Sequence, residues 1–453
     1  MEQKSEEVML QISKVFTPFV PISKIELLKG RKKEISRFKE ILNLPGRQAI
    51  LYGDRALGKS SIARIVKNIA EEQDYVVTIV FCFRNDTYSL ISKRILEEAE
   101  VDSAPHTDTS SKETTIGSSI GAKGGIKFIA EASGELDGKV IMGSSQSAQY
   151  QPNYDDPSWV AKALAKEPTG KRRLIILEEY DRVEDDDTHD KIAEMVKLLS
   201  DEQSYGCKLL IVGVAKTSNE LLGAHGSLPG RALTKVKVKR VDDTAIGTIF
   251  LDGMAKLGCE IARPMPILGK SSHNEETLLE TVVGKCSGYP LYAHLIGQEC
   301  AKIALGTDGG KRITFPVLRK ALESCVELDE EEIVDQFNDI IESSRGKKSK
   351  SQKMLVMFAA SRCNQDKFTI EDVAKQVEKL LKHDFYSNRF KGLAISQQLS
   401  HSIFRSLMKT TKNHKALFCH IKRTYYAFDD PRMACYVSMI IDQPLAKWQE
   451  LLQ

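Results

Sequence analysis

The sequence has little that would place it in a membrane or cross-link it. No apolar run approaches the ~20 residues that a membrane helix requires, so a spanning segment is excluded. The opening residues, MEQKSEEVML, carry acids where a secretory signal carries a basic segment and then an apolar one, and a cytoplasmic chain is the expectation. Nine cysteines are an odd count, and none forms a C-x-x-C pair, which argues against a zinc or redox centre and for reduced, mostly buried thiols. The nine histidines are dispersed, and HKALFCH (414–420) has no second half to complete a metal site.

What is present is an ordinary globular composition, 42% apolar and 28% charged, in a chain of 453 residues, long enough for two or three domains. The net charge of +3 is unevenly spread: residues 344–453 hold 20 Lys+Arg against 9 Asp+Glu, and the remainder is acidic. A basic C-terminal part suits an anionic partner, although many solvated helix faces are basic and bind nothing.

The stretch LYGDRALGKSSIARI (51–65) fits G-x-x-x-x-G-K-[ST], with Gly53, Gly58, Lys59 and Ser60 in the required places. An apolar run, RQAILYG, precedes it, and Ile62, Ile65, Val66 and Ile69 follow at helical spacing, so the loop joins a strand to a helix. In such a loop the backbone of Asp54, Arg55, Ala56 and Leu57 turns N–H groups toward phosphate oxygens, and the helix starting at Lys59 aims its positive end at them. Lys59 is placed for the terminal phosphates, Ser60 for Mg²⁺, and Ser61 for the nearer phosphate or the helix cap.

A second strand, in KRRLIILEEYDRVEDD, runs through Leu174–Leu177 and ends on Glu178 and Glu179. In an open parallel sheet that end faces the nucleotide. Glu178 is then the metal carboxylate and Glu179 the group that orients the attacking water. Aspartate is usual at the first position; the longer Glu178 shifts the carboxylate outward and leaves a binder without turnover as one reading. Further strands are expected at 75–83 and 207–215, with helices between them, which predicts a parallel sheet with helices on both faces. Nothing matches the [NT]-K-x-D pattern by which guanine-specific phosphate-loop proteins resemble one another, so adenine is preferred, and ATP with Mg²⁺ is the expected cofactor pair.

These motifs, with FTPFVPISKIELLKGRKKEISRFKEIL before them, resemble the start of bacterial AAA+ ATPases of the origin-recognition type, which overlap with the STAND class of signalling ATPases. The resemblance implies an α/β P-loop NTPase fold, an AAA+-like parallel sheet with flanking helices, plus a helical lid and a C-terminal winged-helix domain. It puts Gly30 and Arg31 near the adenine, and Lys216, Thr217 or Ser218 near the sensor-1 position. Arg231 falls where such ATPases often carry an arginine directed at a neighbour's γ-phosphate, though a surface role fits it equally. VGKCSGYPLYAHLIGQECAKIAL resembles the lid, with Gly288–Pro290 approaching the nucleotide; Tyr292 and His294 stand where the family often has an arginine, and proline at a helix start accounts for the motif by itself. LFCHIKRTYYAFDDPRMACYVSMI resembles the closing wing of the winged helix, after three amphipathic helices at 352–361, 368–381 and 397–410. The implied boundaries are an N-terminal segment 1–28, an ATPase core 29–241, a lid 242–327 and a winged-helix domain 328–453.

Between 102 and 155 a Gly/Ser-rich stretch interrupts the core; KETTIG, GGIKFIAEAS and KVIMGSS suggest an inserted two- or three-stranded ribbon. Two functions follow from the resemblance. One is an ATP-driven switch that couples nucleotide state to homo-oligomerisation or to a separate effector protein, a role many bacterial relatives play in anti-phage defence. The alternative is an initiator-like or transposition-regulator-like ATPase whose basic winged helix holds DNA.

Overall fold

The computed structural model describes residues 2–99, 101, 106–109, 141–142, 147–150, 152–165, 171–201, 206–222, 232–262, 277–306, 311–328, 331–344, 346–363, 367–382, 390, 393, 397–409, 417–422 and 424–441. The chain divides into two compact units, a first of Lys32–Asp54 and Lys59–Val238 and a second of Met1–Arg31, Arg55–Gly58 and Lys239–Gln453.

Helix α1 (Glu2–Val15) belongs to the second unit. The first unit opens with α2 (Lys32–Asn43), β1 (Gln48–Gly53), α3 (Lys59–Glu71), β2 (Tyr75–Phe81) and α4 (Tyr88–Glu98). An antiparallel trio follows, in the order β3 (His106–Thr109), β5 (Ser147–Tyr150), β4 (Ile141–Met142). Of the β pieces expected in this insertion, KVIMGSS contains β4, whereas KETTIG and GGIKFIAEAS lie outside the described residues. The unit continues with α5 (Pro157–Ala165), β6 (Arg172–Glu178), α6 (Asp186–Asp201), β7 (Cys207–Val214), α7 (Asn219–Leu222) and β8 (Leu233–Lys237).

Strands β2, β6, β7, β1 and β8 form, in that order, one sheet in which every neighbouring pair is parallel. The expected parallel sheet with flanking helices is borne out. Leu174–Leu177 of β6 are all buried, as a strand covered on both faces demands, which is why it reads as an unbroken apolar run. Helix α3 instead buries one stripe, Ile62, Ile65, Val66 and Ile69, each contributing about 1.5–3 kcal/mol by leaving water. Because β7 alone separates β1 from β6, and all three run the same way, the loop after β1 and the acids after β6 emerge at the same end of the sheet.

In the second unit α8 (Asp243–Lys256), α9 (Leu278–Cys286), α10 (Pro290–Gly306) and α11 (Phe315–Glu327) gather with α1, and a two-stranded parallel pair, β9 (Glu260–Ile261) and β10 (Arg312–Ile313), ties their loops. The fully buried ring of Phe16 lodges against Gly253 of α8 and Gly297 of α10, where any β-carbon would collide with it. Four further helices, α12 (Glu331–Glu342), α13 (Lys347–Ser361), α14 (Ile370–Lys382) and α15 (Gln397–Leu407), precede the hairpin β11 (Phe418–Lys422) and β12 (Tyr425–Phe428). A buried aromatic cluster of Phe368, Phe404, Phe418 and Phe428 holds this part, and Phe368 bridges the hairpin through its backbone pair with Tyr426.

Of the segment expected as the closing wing, the β11–β12 hairpin occupies the first part, and the rest ends in a helix, α16 (Arg432–Ile440), every residue of which is buried. Asp430, which accepts from the Arg432 N–H at 2.9 Å, and Pro431 supply the helix start. No cysteine is in a disulfide, and eight of the nine are buried. Among the described residues no helix is long and apolar enough to cross a membrane.

Candidate functional site

The loop between β1 and α3 has the backbone its sequence requires. Gly53 has φ +154° and lies so near the Val238 carbonyl that a β-carbon would stand 2.5 Å from that oxygen. Gly58 at φ +82° takes the left-handed conformation that side chains resist, although nothing crowds it. Ala56, with φ 62°, adopts it despite its methyl group. Left-handed residues in a glycine-containing loop are a feature of backbone turns that bind phosphate.

Lys59, buried as the first residue of α3, donates from Nζ to the Gly53 carbonyl at 3.0 Å and the Asp54 carbonyl at 2.7 Å. The ammonium is thus held against the backbone that ends β1. Ser60, one residue on, donates its hydroxyl to Oε2 of Glu178 at 3.1 Å, so the loop and the acidic strand meet through the two residues expected to share a metal. Ser61 is buried beside them in the first turn of α3.

Glu178 is 1% exposed, and its other oxygen, Oε1, has no hydrogen-bond partner. Burial is the largest influence on this carboxyl and raises its pKa; Ser60, Arg64 and Lys59 pull it back and neighbouring Glu179 adds to the rise. A buried carboxylate with an unsatisfied oxygen next to a hydroxyl supplies the oxygen donors that suit a hard divalent cation, while the Lys59 ammonium beside them suits phosphate oxygens. Among the described residues no group of three or more His, Cys, Asp or Glu could hold a metal alone, so phosphate oxygens and water would have to complete the shell.

Glu179 behaves differently. Its backbone is left-handed, φ 57° and ψ 34°, and starts a 3-10 turn over Tyr180–Arg182. The turn carries its carboxylate to Arg182, whose Nε lies 2.5 Å from Glu179 Oε2 on the solvent side. Asp181 uses Oδ1 to accept the Val214 N–H at 2.8 Å, which fastens the end of β7 to the turn after β6. Beyond β7, the Lys216 N–H and the Thr217 hydroxyl donate to Glu220 at 2.8 and 3.2 Å, and Ser218 is buried.

No protein-family model matches this sequence, and no curated protein does. Solved structures similar to the chain include Cdc6p from Pyrobaculum aerophilum, 12% identical over 97% of this chain and 98% of that one with a TM-score of 0.43. A Walker-type ATPase of Pyrococcus abyssi is 15% identical over 92% and 98% with a TM-score of 0.47. The ORC2 protein of Aeropyrum pernix, in ADPNP–ADP complexes, is 12% identical over 96% and 98% with a TM-score of 0.46.

The second unit holds the other expected residues. Arg31 is 3% exposed and donates to two carbonyls, Lys239 O and Leu57 O, each at 2.7 Å. Its guanidinium therefore fastens the tip of the loop to the chain entering α8. Gly30 packs on Val241 and Ala245. The Val241 N–H donates to Gly288 O at 3.0 Å, and Pro290 opens α10. Arg240 reaches the same Gly-Tyr-Pro element, donating to the Tyr289 hydroxyl at 3.0 Å with its guanidinium 4.8 Å from the ring centre. Arg55, at the loop tip, pairs with Glu332 of α12 at 3.7 Å, and Glu332 also lies 3.8 Å from the buried Arg432.

The structure therefore brings Gly53, Asp54, Lys59, Ser60, Ser61 and Glu178 together in the first unit, and joins Arg31 to Leu57 in the second. It pairs Glu179 with Arg182 and Arg55 with Glu332. Arg231 lies outside the described residues. Arg64, Asp181, Arg182 and Arg240 were not singled out from sequence; the only signal for Arg64 and Arg182 is spacing, four residues after Ser60 and three after Glu179.

Proposed function

We propose that the chain binds ATP with Mg²⁺ and hydrolyses it slowly, as an AAA+-type switch. The Ser60–Glu178 contact at the mouth of the Lys59 loop carries this reading, because it joins the two motifs at the atoms a metal–phosphate complex needs. The loop backbone and the α3 N-terminus would bind the phosphates, and Lys59 would exchange its carbonyl partners for their oxygens. Ser60 and Glu178 would hold Mg²⁺, which when bound neutralises charge developing on the transferred phosphoryl group. Glu179 would accept a hydrogen bond from the attacking water and orient it. The water oxygen bonds to the γ-phosphorus as the bond to the ADP oxygen breaks; one water proton ends on phosphate and the other passes to solvent. Gly30, Arg31, Leu57 and Pro290 belong to the adenine side in this reading, and Arg231 to the catalytic set of an oligomer.

The switch would couple nucleotide state to oligomerisation or to engagement of a separate effector protein, with bacterial anti-phage defence of the STAND kind as its setting. The winged-helix reading of residues 328–453 supports the alternative, a DNA-binding initiator-like or transposition-regulator-like ATPase. One observation favours it: residues 344–453 hold 20 Lys+Arg against 9 Asp+Glu, a balance that suits a polyanion. Steady-state ATPase assays on wild type and Glu179→Gln test hydrolysis; equal rates at background contradict it. Duplex DNA binding with a steep salt slope supports the alternative, and no binding between 50 and roughly 200 mM salt removes it.

A further inference from the structure

The second carboxylate of the acidic strand is engaged by an arginine one turn along. Glu179 follows the buried Glu178 directly, but its left-handed backbone starts the 3-10 turn that brings Arg182 back over it. The turn closes through the Arg182 N–H to the Glu179 carbonyl at 3.0 Å and through the ion pair at 2.5 Å. The two interactions join backbone and side chain in one closed turn.

No other acid of the turn can take over the role. Asp181 is engaged by the Val214 N–H, and Glu178 faces Ser60. Glu184 lies further along and pairs with Arg84 at 2.9 Å. A carboxylate engaged by a guanidinium has one oxygen already saturated by a charged donor, and it points along that donor. Both side chains of the Glu179–Arg182 pair are about half exposed, at 44% and 57%, so the pair can open and close in water at modest cost.

We propose that Arg182 is a positioning residue that holds Glu179 away from the reacting phosphorus and so sets a slow turnover. The inference rests on the ATPase reading above. Exposed ion pairs of this kind hold their members by a factor of about 2 to 5. Arg182→Gln should therefore raise kcat by about threefold, leaving KM for Mg·ATP and the nucleotide Kd unchanged. Arg182→Lys should return the rate toward wild type, since it restores the charge. The double variant Glu179→Gln/Arg182→Gln should show no gain over Glu179→Gln alone.

A readout independent of turnover accompanies these rates. Amide hydrogen exchange across residues 179–183 should accelerate in Arg182→Gln and not in Arg182→Lys, because the turn loses its side-chain closure. An unchanged or lowered kcat in Arg182→Gln, with nucleotide Kd intact and the protein folded, overturns the brake alone. Failure of wild type to bind nucleotide overturns both the brake and the reading on which it rests.

Discussion

Replacing Glu178 with Gln should make the protein more stable and less able to use metal. The side chain is 1% exposed, its Oε2 accepts from Ser60 at 3.1 Å, and Oε1 has no partner. A buried polar atom without a partner costs about 1–3 kcal/mol, more when it belongs to an ion. Glutamine keeps the volume, removes the charge and can exchange a hydrogen bond with the Ser60 hydroxyl. A gain of about 1–2 kcal/mol corresponds to a rise in melting temperature of about 3–6 °C for a unit of this size. The gain should depend on pH. Burial raises the Glu178 pKa, so the folded state binds this proton more tightly than the unfolded chain does. Wild-type stability then falls as pH rises from the ordinary glutamate range through the raised value, and the advantage of the variant grows over the same interval. Differential scanning calorimetry without nucleotide, from pH 4 to 8, reads the stability. The Mg²⁺ concentration for half-maximal ATPase should rise at least about tenfold. A variant that is less stable than wild type, with an unchanged Mg²⁺ requirement, would refute the reasoning and make Glu178 a structural acceptor.

Other substitutions test other parts. Gly53→Ala places a methyl group 2.5 Å from the Val238 carbonyl, and should destabilise the first unit by about 2 kcal/mol or more in urea unfolding. His294 is buried, accepts the Thr17 N–H at Nδ1, and has its pKa pushed down to about 4 by burial. A depressed histidine pKa gives stability that is complete above the ordinary value near 6.5 and is lost as pH falls toward 4, here up to about 3 kcal/mol. Thermal melts of wild type and His294→Leu between pH 7 and 4 should therefore diverge, with the variant flatter.

Much of this architecture was legible because the elements that build the sheet carry strong, local signals. RQAILYG and RRLIILE are unbroken apolar runs, the glycines at 53 and 58 fall where the backbone needs them, and α3 shows its stripe. Ser60 and Glu178, 118 positions apart, were matched through motif logic, and their side chains touch. Side-chain direction was harder. Nothing in EEYDR announces that Glu179 turns left-handed and closes on Arg182, because that depends on the path of the chain after β6. Arg31, expected near the adenine, donates to Leu57 and Lys239, and the second of these contacts spans 208 residues and leaves no local trace.

The central claim is that Mg·ATP binds at the Lys59 loop opposite Glu178. Isothermal titration of wild type and Lys59→Ala with Mg·ATP tests it most directly. The account predicts saturable one-to-one binding by wild type and at least a roughly tenfold loss in the variant, a difference of about 1.4 kcal/mol. Equal binding by both proteins, or none by a folded wild type, would contradict it.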